Sequence, residues 1–233
     1  MVPEVPVKAL LVCVVAALSA AAALAPAGGA TNECHGIQSC IRVPGPWVVV
    51  PARGTVEYLL TCPGGRSVVG GLDAQVTSRD VRIDFVGRLG APVQPGVTTT
   101  RYALFRAVST SKRAQLFQPL LGCVPLQGGG GRSTVSARVS PPGQSLELRS
   151  RIVVIGPGTV RFGHVACKAS EQLVGAWHAI AFRTQAPPAV TNAIFVKARH
   201  VIVGKKVVAT ASAADALSID VHAVVQVGAE CAP

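Results

Sequence analysis

The sequence predicts an all-β protein built as two tandem, disulfide-closed, β-sandwich-like domains. Three observations carry that prediction. A cysteine-centred block occurs twice, about 100 residues apart. Beyond an apolar leader the cysteines number 6, an even count that reads as a disulfide framework. Short β-branched runs and period-two alternation recur between Gly and Pro turns, and no segment carries the apolar spacing of a long helix.

The block is Thr61-Cys62-Pro63-Gly64-Gly65-Arg66-Ser67-Val68-Val69-Gly70-Gly71, and its degenerate echo is Ala166-Cys167-Lys168-Ala169-Ser170-Glu171-Gln172-Leu173-Val174-Gly175-Ala176. In both, 6 residues separate the cysteine from Val-Gly. Upstream, Gly54-Thr55-Val56 and Gly158-Thr159-Val160 extend the echo with one residue of slippage. Self-similarity at this period points to two copies of one unit, residues 31–126 and 147–233, joined by a linker over 127–146. Each unit has roughly 90 residues, a size that buries only about 60 to 65% of its unfolded surface, so covalent support matters.

Residues 1–30 fall outside both units. Lys8 is followed by an apolar run from Ala9 to Ala25, interrupted only by Ser19, then Pro26 and small residues to Ala30. That order of charge, apolar run and small residues is a secretory signal, with Ala27 and Ala30 both suitable for cleavage. As a retained anchor the run would be at the short end for spanning a bilayer. Cys13 lies inside it and reads as an ordinary apolar residue. After cleavage no transmembrane segment is expected, and the product is expected to be secreted or extracellular, including attachment to the cell surface.

An exported chain favours disulfides over thiol chemistry. Six cysteines allow 15 pairings, which the doubling narrows. Cys62 and Cys123 bracket the first copy, Cys167 and Cys231 bracket the second, and Cys34 and Cys40 are left to close a small local loop. A zinc site from Cys34, His35 and Cys40 lacks the usual close pair and a second pair of ligands. Closing a loop of about 60 residues contributes on the order of 4 kcal/mol on the chain-entropy model.

In chain order, Ile41–Pro51 holds Trp47-Val48-Val49-Val50, a strand bounded by prolines, and Ile152-Val153-Val154-Ile155 stands in the matching place of the second copy. Residues 55–61 form the next strand, and Cys62-Pro63-Gly64-Gly65 a turn. In the strand opened by Val68, Gly70 and Gly71 mark a bulge or a close backbone approach. Val81-Arg82-Ile83-Asp84-Phe85 alternates as a half-buried strand. Residues 92–96 are a loop, 101–108 a strand, and 113–123 the strand that closes the copy. Residues 127–144, with glycines at 128–131 and Pro141-Pro142-Gly143, have linker composition, within which 134–139 is suited to a short strand. The second copy runs from Leu146, through a hairpin at 201–208 with a charged tip, to a long alternating strand of Leu217, Ile219, Val221, Ala223, Val225 and Val227 ending at Cys231.

The net charge of +11 is spread along the chain, and aromatic residues make up only 4% of it. A nucleic-acid surface needs a cationic cluster and stacking platforms, so specific nucleic-acid binding is not expected. Attraction to anionic cell-envelope polymers is, and another secreted protein is the other partner class considered. Candidate chemistry is thin. Ser218, Asp220 and His222 are the residue types of a triad, but along one strand they would stand about 6.5 to 7 Å apart with the acid in the middle. Asp80 and Asp84 flank Arg82, which reads as a solvated charged face. His164, His178 and His200 occur singly. Trp177 reads as packing beside the disulfide, and Lys205 and Lys206 as the wet tip of the hairpin. Gly131-Arg132-Ser133-Thr134 has arginine where a phosphate loop needs lysine. No residue is assigned to catalysis, to a cofactor or to a metal, and no cofactor is expected.

With these residues in view, the pattern resembles a repeat of uncharacterised secreted proteins of high-GC bacteria, in which Cys-Pro-x-Gly, a Val-Gly-Gly segment and a closing strand ending in Cys recur. The first copy matches through Cys62-Pro63-Gly64-Gly65, Val69-Gly70-Gly71 and Gly122-Cys123; the second departs at Lys168 and Ala176. The resemblance implies export and β architecture and no established activity. Together these features predict an exported, non-catalytic binding or structural module of the cell envelope or extracellular space, the alternative being a secreted hydrolase whose site assembles only in three dimensions.

Overall fold

A computed structural model describes residues 40–64, 67–86, 101–125 and 146–233. The leader at 1–30, Cys34, the 92–96 loop and the 127–144 linker lie outside the described residues. The strands are β1 Ile41–Pro44, β2 Trp47–Val50, β3 Thr55–Thr61, β4 Ser67–Val76, β5 Val81–Val86, β6 Tyr102–Ser109 and β7 Gln115–Pro125. They continue with β8 Glu147–Ile155, β9 Val160–Ala166, β10 Gln172–Arg183, β11 Val196–Val203, β12 Lys206–Ala213 and β13 His222–Ala232, with a short 3-10 helix at Val190–Phe195 between β10 and β11. The all-β class is therefore the fold. Among the described residues no helix is long and apolar enough to cross a membrane.

Seven strands form one antiparallel sheet. β7 pairs with β4 along one edge and with β1 and then β2 along the other; β2 continues to β10, then β13, then β8. Two smaller sheets, β3-β6-β5 and β9-β12-β11, hold the remaining described strands. The pairing order of β2 to β7 recurs in β8 to β13, and the described strands of both halves lie in one compact unit. Cys62–Cys123 and Cys167–Cys231 are both bonded, and Cys40 is bonded as well. Each long disulfide joins the end of one small-sheet strand to the large sheet of its own half.

Register refines the sequence echo. Val69 stands opposite Cys123 and Leu173 opposite Cys231, and a bulge follows at once in each case, before Gly71 and before Gly175. Gly71 thus corresponds to Gly175, one residue away from the match of the letters Val-Gly. The first copy has one more residue between its cysteine and the bulge, and on the way Gly64 takes a φ of +78°.

The two halves meet edge to edge where Val48 pairs with Ala181 and Trp47 with Phe182. Because side chains alternate across a strand, the joint sheet buries both of its faces. Val48, Val50, Phe117 and Leu121 pack with Val56, Tyr58, Phe105 and Ala107 of the first small sheet, and Ala179, Ala181 and Val224 of the second half join that same core. Trp47, Val49 and Leu116 face the other way, into a core with Phe182, Val225, Val196 and Ala211 of the second half. The small sheets therefore lie on opposite faces of the large one, each overlapping the neighbouring half. This explains why residues 47–50 form an unbroken apolar run: all 4 are buried.

A polar clamp reinforces the junction. Buried Gln226 on β13 accepts a hydrogen bond from the Leu59 N–H (2.7 Å) and donates one to the Leu59 carbonyl (2.8 Å). Its amide thus replaces a neighbouring strand for the outer edge of β3. Trp177 packs beside it against Leu59 and Leu104, not against the disulfide, and its ring covers Gly228 directly across the β10–β13 ladder. The last strand also starts later than the alternation suggests. Leu217 is buried, but it sits in a turn whose backbone closes through Leu217 N–H to Ala214 O and Val221 N–H to Ser218 O, so β13 begins only at His222.

Candidate functional site

The triad residues do not assemble. Ser218 and Asp220 are exposed in the turn before β13, His222 is exposed on its first residue, and no hydrogen bond links the three side chains. Arg82 and Asp84 form an exposed ion pair at 3.0 Å, which is a solvated charged face. The predicted hairpin is present, with β11 and β12 joined by Gly204-Lys205 and Gly204 at a φ of +59°. Lys205 donates to the Ala169 carbonyl at 2.6 Å, so its ammonium is tied to the neighbouring turn. The Gly131–Thr134 segment lies outside the described residues.

Two histidines that stand alone in the sequence are brought together. His178 of β10 and His200 of β11 approach across the second half, Nδ1 to Nδ1 at 2.7 Å, with rings edge to face. One nitrogen donates and the other accepts, so the contact holds one proton and fails when both rings are cationic. Burial lowers the His178 pKa and the neighbouring His200 lowers it further, against an opposing effect of the Ala198 backbone. Among the described residues neither ring hydrogen-bonds a hydroxyl or thiol that would serve as a nucleophile.

The metal-like cluster of Cys167, Glu171 and Cys231 is better described as a brace. Both sulfurs are in the disulfide, and Arg149 of β8 holds both Glu171 oxygens, one of them at 2.7 Å, while a further N–H lies 3.2 Å from Cys231 Sγ. The Arg149 hydrogen bond holds the Glu171 carboxyl down to about 2, against a smaller opposing effect of burial. A cation would meet a guanidinium there.

The surface that stands apart is the outer face of β9-β12-β11. Register places Val160, Ser212 and Lys197 in one row across the three strands, Phe162, Thr210 and Arg199 in the next, then His164, Val208 and Val201, then Ala166, Lys206 and Val203. The opposite face of these strands, through Val165, Val207, Ala209 and Ala211, enters the core. Phe162 is 72% exposed and Val203 62%, unusual for large apolar side chains on a regular sheet. Lys197, Arg199 and Lys206 join them with no carboxylate in any row and no ion pair among the described residues.

The corresponding face of the first half is different. Its rows are Thr55, Val108 and Arg82, then Glu57, Arg106 and Asp84. Arg106 there is held by Glu57 at 2.5 and 2.7 Å, and Arg82 by Asp84. The next row, beginning Leu59 and Leu104, lies under Trp177. So the first face is neutralised and partly covered, whereas the second is cationic, apolar and open. Phe162 and Arg199 lie 37 residues apart in the chain, and only the ladder register brings them into one row. No protein-family model matches this chain, and no curated protein or solved structure shows significant similarity to it.

Proposed function

We propose that the protein is an exported, non-catalytic binding module whose outer β9-β12-β11 face engages an anionic polymer of the cell envelope. One observation carries the reading: Phe162, Val201 and Val203 share an exposed face with Lys197, Arg199 and Lys206 and with no acidic side chain in its rows. Lys197 and Arg199 are alternate residues of β11, about 6.5 to 7 Å apart, a spacing that suits a repeating anion, and the apolar side chains add contacts that salt does not screen. The two disulfides suit an oxidising compartment. The recurrent pairing order supports a tandem duplication in which only the second copy keeps an open face. The hydrolase alternative has no comparable support, since its triad residues do not assemble and, among the described residues, the histidine pair has no hydrogen-bonded nucleophile beside it.

The test is co-sedimentation with cell-envelope fractions, using the chain as an exporting host processes it. Saturable binding that partly survives high salt is expected. A cation near an anionic surface contributes about 1 kcal/mol, so the double variant Lys197→Ser, Arg199→Ser, losing about 2 kcal/mol, should bind about 30-fold more weakly. Removing Arg82 from the first-half face should change little. Equal losses in both variants, or no retention on any fraction, would overturn the assignment.

A further inference from the structure

The internal junction has an unused counterpart at the end of the sheet. Val48 pairs with Phe117, 6 residues before Cys123, and Val153 pairs with Val225, 6 residues before Cys231. Trp47-Val48-Val49-Val50 and Ile152-Val153-Val154-Ile155 therefore hold the same place in their halves. In the first half the outer edge of this strand pairs with β10, and the adjoining half covers Trp47 and Val49, leaving them 4% and 8% exposed. In the second half, β8 has no further neighbour among the described residues, and Ile152 and Val154 are 39% and 57% exposed.

The opposite end carries the complementary corner. Ile180 stands opposite Val225 and Val76 opposite Phe117, so Thr77-Ser78 take the places of Ala181-Phe182, the residues that pair with β2. The Thr77 N–H still bonds the Leu116 carbonyl at 3.0 Å, which keeps the ladder running past the last residue of β4. The edge offered and the edge received are different surfaces, and each half is turned over relative to the one before it. Such contacts are heterologous and propagate instead of closing.

We propose that a second copy of this chain docks head to tail on β8, its Thr77-Ser78 corner pairing with Ile152-Val153 and its first half covering Ile152 and Val154. This goes beyond polymer binding and centres on the β8 edge, outside the rows that hold Phe162, Lys197 and Arg199, so either can fail alone. With Ser78 where the internal junction has Phe182, the contact between molecules is weaker than the one within a molecule.

The test is sedimentation velocity of the purified chain, with no envelope material present, over a wide concentration range. Mass should rise with concentration past the dimer. Val154→Lys, on an exposed site, should remain monomeric and, added to wild type, should cap its growth. Ser78→Phe restores the side chain of the internal junction; partial burial of a phenyl ring is worth enough to tighten association by about tenfold, a gain that misfolding does not imitate. A wild type that stays monomeric, or that stops at a dimer, overturns the proposal, as does Ser78→Phe with unchanged association.

Discussion

Replacing Gln226 by leucine should uncouple the two halves more than any other single change at their junction. Leucine keeps much of the volume and removes both polar groups, so the Leu59 N–H and carbonyl lose partners at 2.7 and 2.8 Å in a buried site. A buried backbone group left unpaired costs about 1 to 3 kcal/mol, and some relaxation toward water is expected, so the variant should lose about 2 to 5 kcal/mol. That is a large share of a domain stability of about 5 to 15 kcal/mol. Gln118→Leu is the matched control, because Gln118 is also buried but donates only one bond, to the Gly45 carbonyl. It should cost about 1 kcal/mol. Urea unfolding followed by tryptophan fluorescence reads the relevant place, since Trp47 lies at the β2–β10 seam and the Trp177 Nε1 is 3.4 Å from Gln226 Oε1. If Gln226→Leu unfolds within about 0.5 kcal/mol of wild type, the range of an ordinary surface substitution, the clamp argument is wrong.

Two further predictions follow from other contacts. Gly228→Ala would drive a methyl into the Trp177 ring, and overpacking of this kind costs about 1 to 3 kcal/mol; thermal unfolding should show the loss, and in a Trp177→Leu background the same substitution should cost little. The histidine pair should make the protein acid-sensitive. His178 has a folded pKa below its ordinary value of 6.5, so its contribution is fully present above that value and is lost as pH falls through the lower folded one. An NMR titration of the His178 ring should show the depressed midpoint moving upward in His200→Phe, and no movement would mean the two rings are uncoupled.

The sequence made the strands legible but not their neighbours. Trp47-Val48-Val49-Val50 reads as a strand from its β-branched run, yet its lack of alternation has a cause that lies elsewhere in the chain, in the residues that cover its second face. The glycines after Val69 point to a bulge or a close backbone approach, and the register shifts there between Val69 and Gly71. The alternation of Leu217, Ile219 and Val221 misleads for a local reason. A turn buries Leu217 under the second core while Ile219 points to solvent at 79% exposure, so a period of two arises without a ladder. Gln226 carries no sequence signal, because a polar residue in an alternating strand ordinarily faces water. Its burial depends on an overlap between halves that brings it to Leu59, 167 residues away.

That overlap also bears on where a ligand could bind. Two halves with the same pairing order need not expose the same surfaces, because each covers part of the other. The second half lays Trp177 and Gln226 against the Leu59 region of β3, which removes the apolar end of the first small sheet from solvent. What remains there is the Glu57–Arg106 pair, whose charges cancel. Nothing among the described residues covers β9 in the same way, and at the position of Glu57 it carries Phe162. If the apolar and cationic face existed only to pack against a further domain, a polar residue would serve at 162 as well as it does at 57. A phenyl ring kept 72% exposed lowers solubility and raises the risk of aggregation, and the envelope contact proposed above would account for its place beside Arg199.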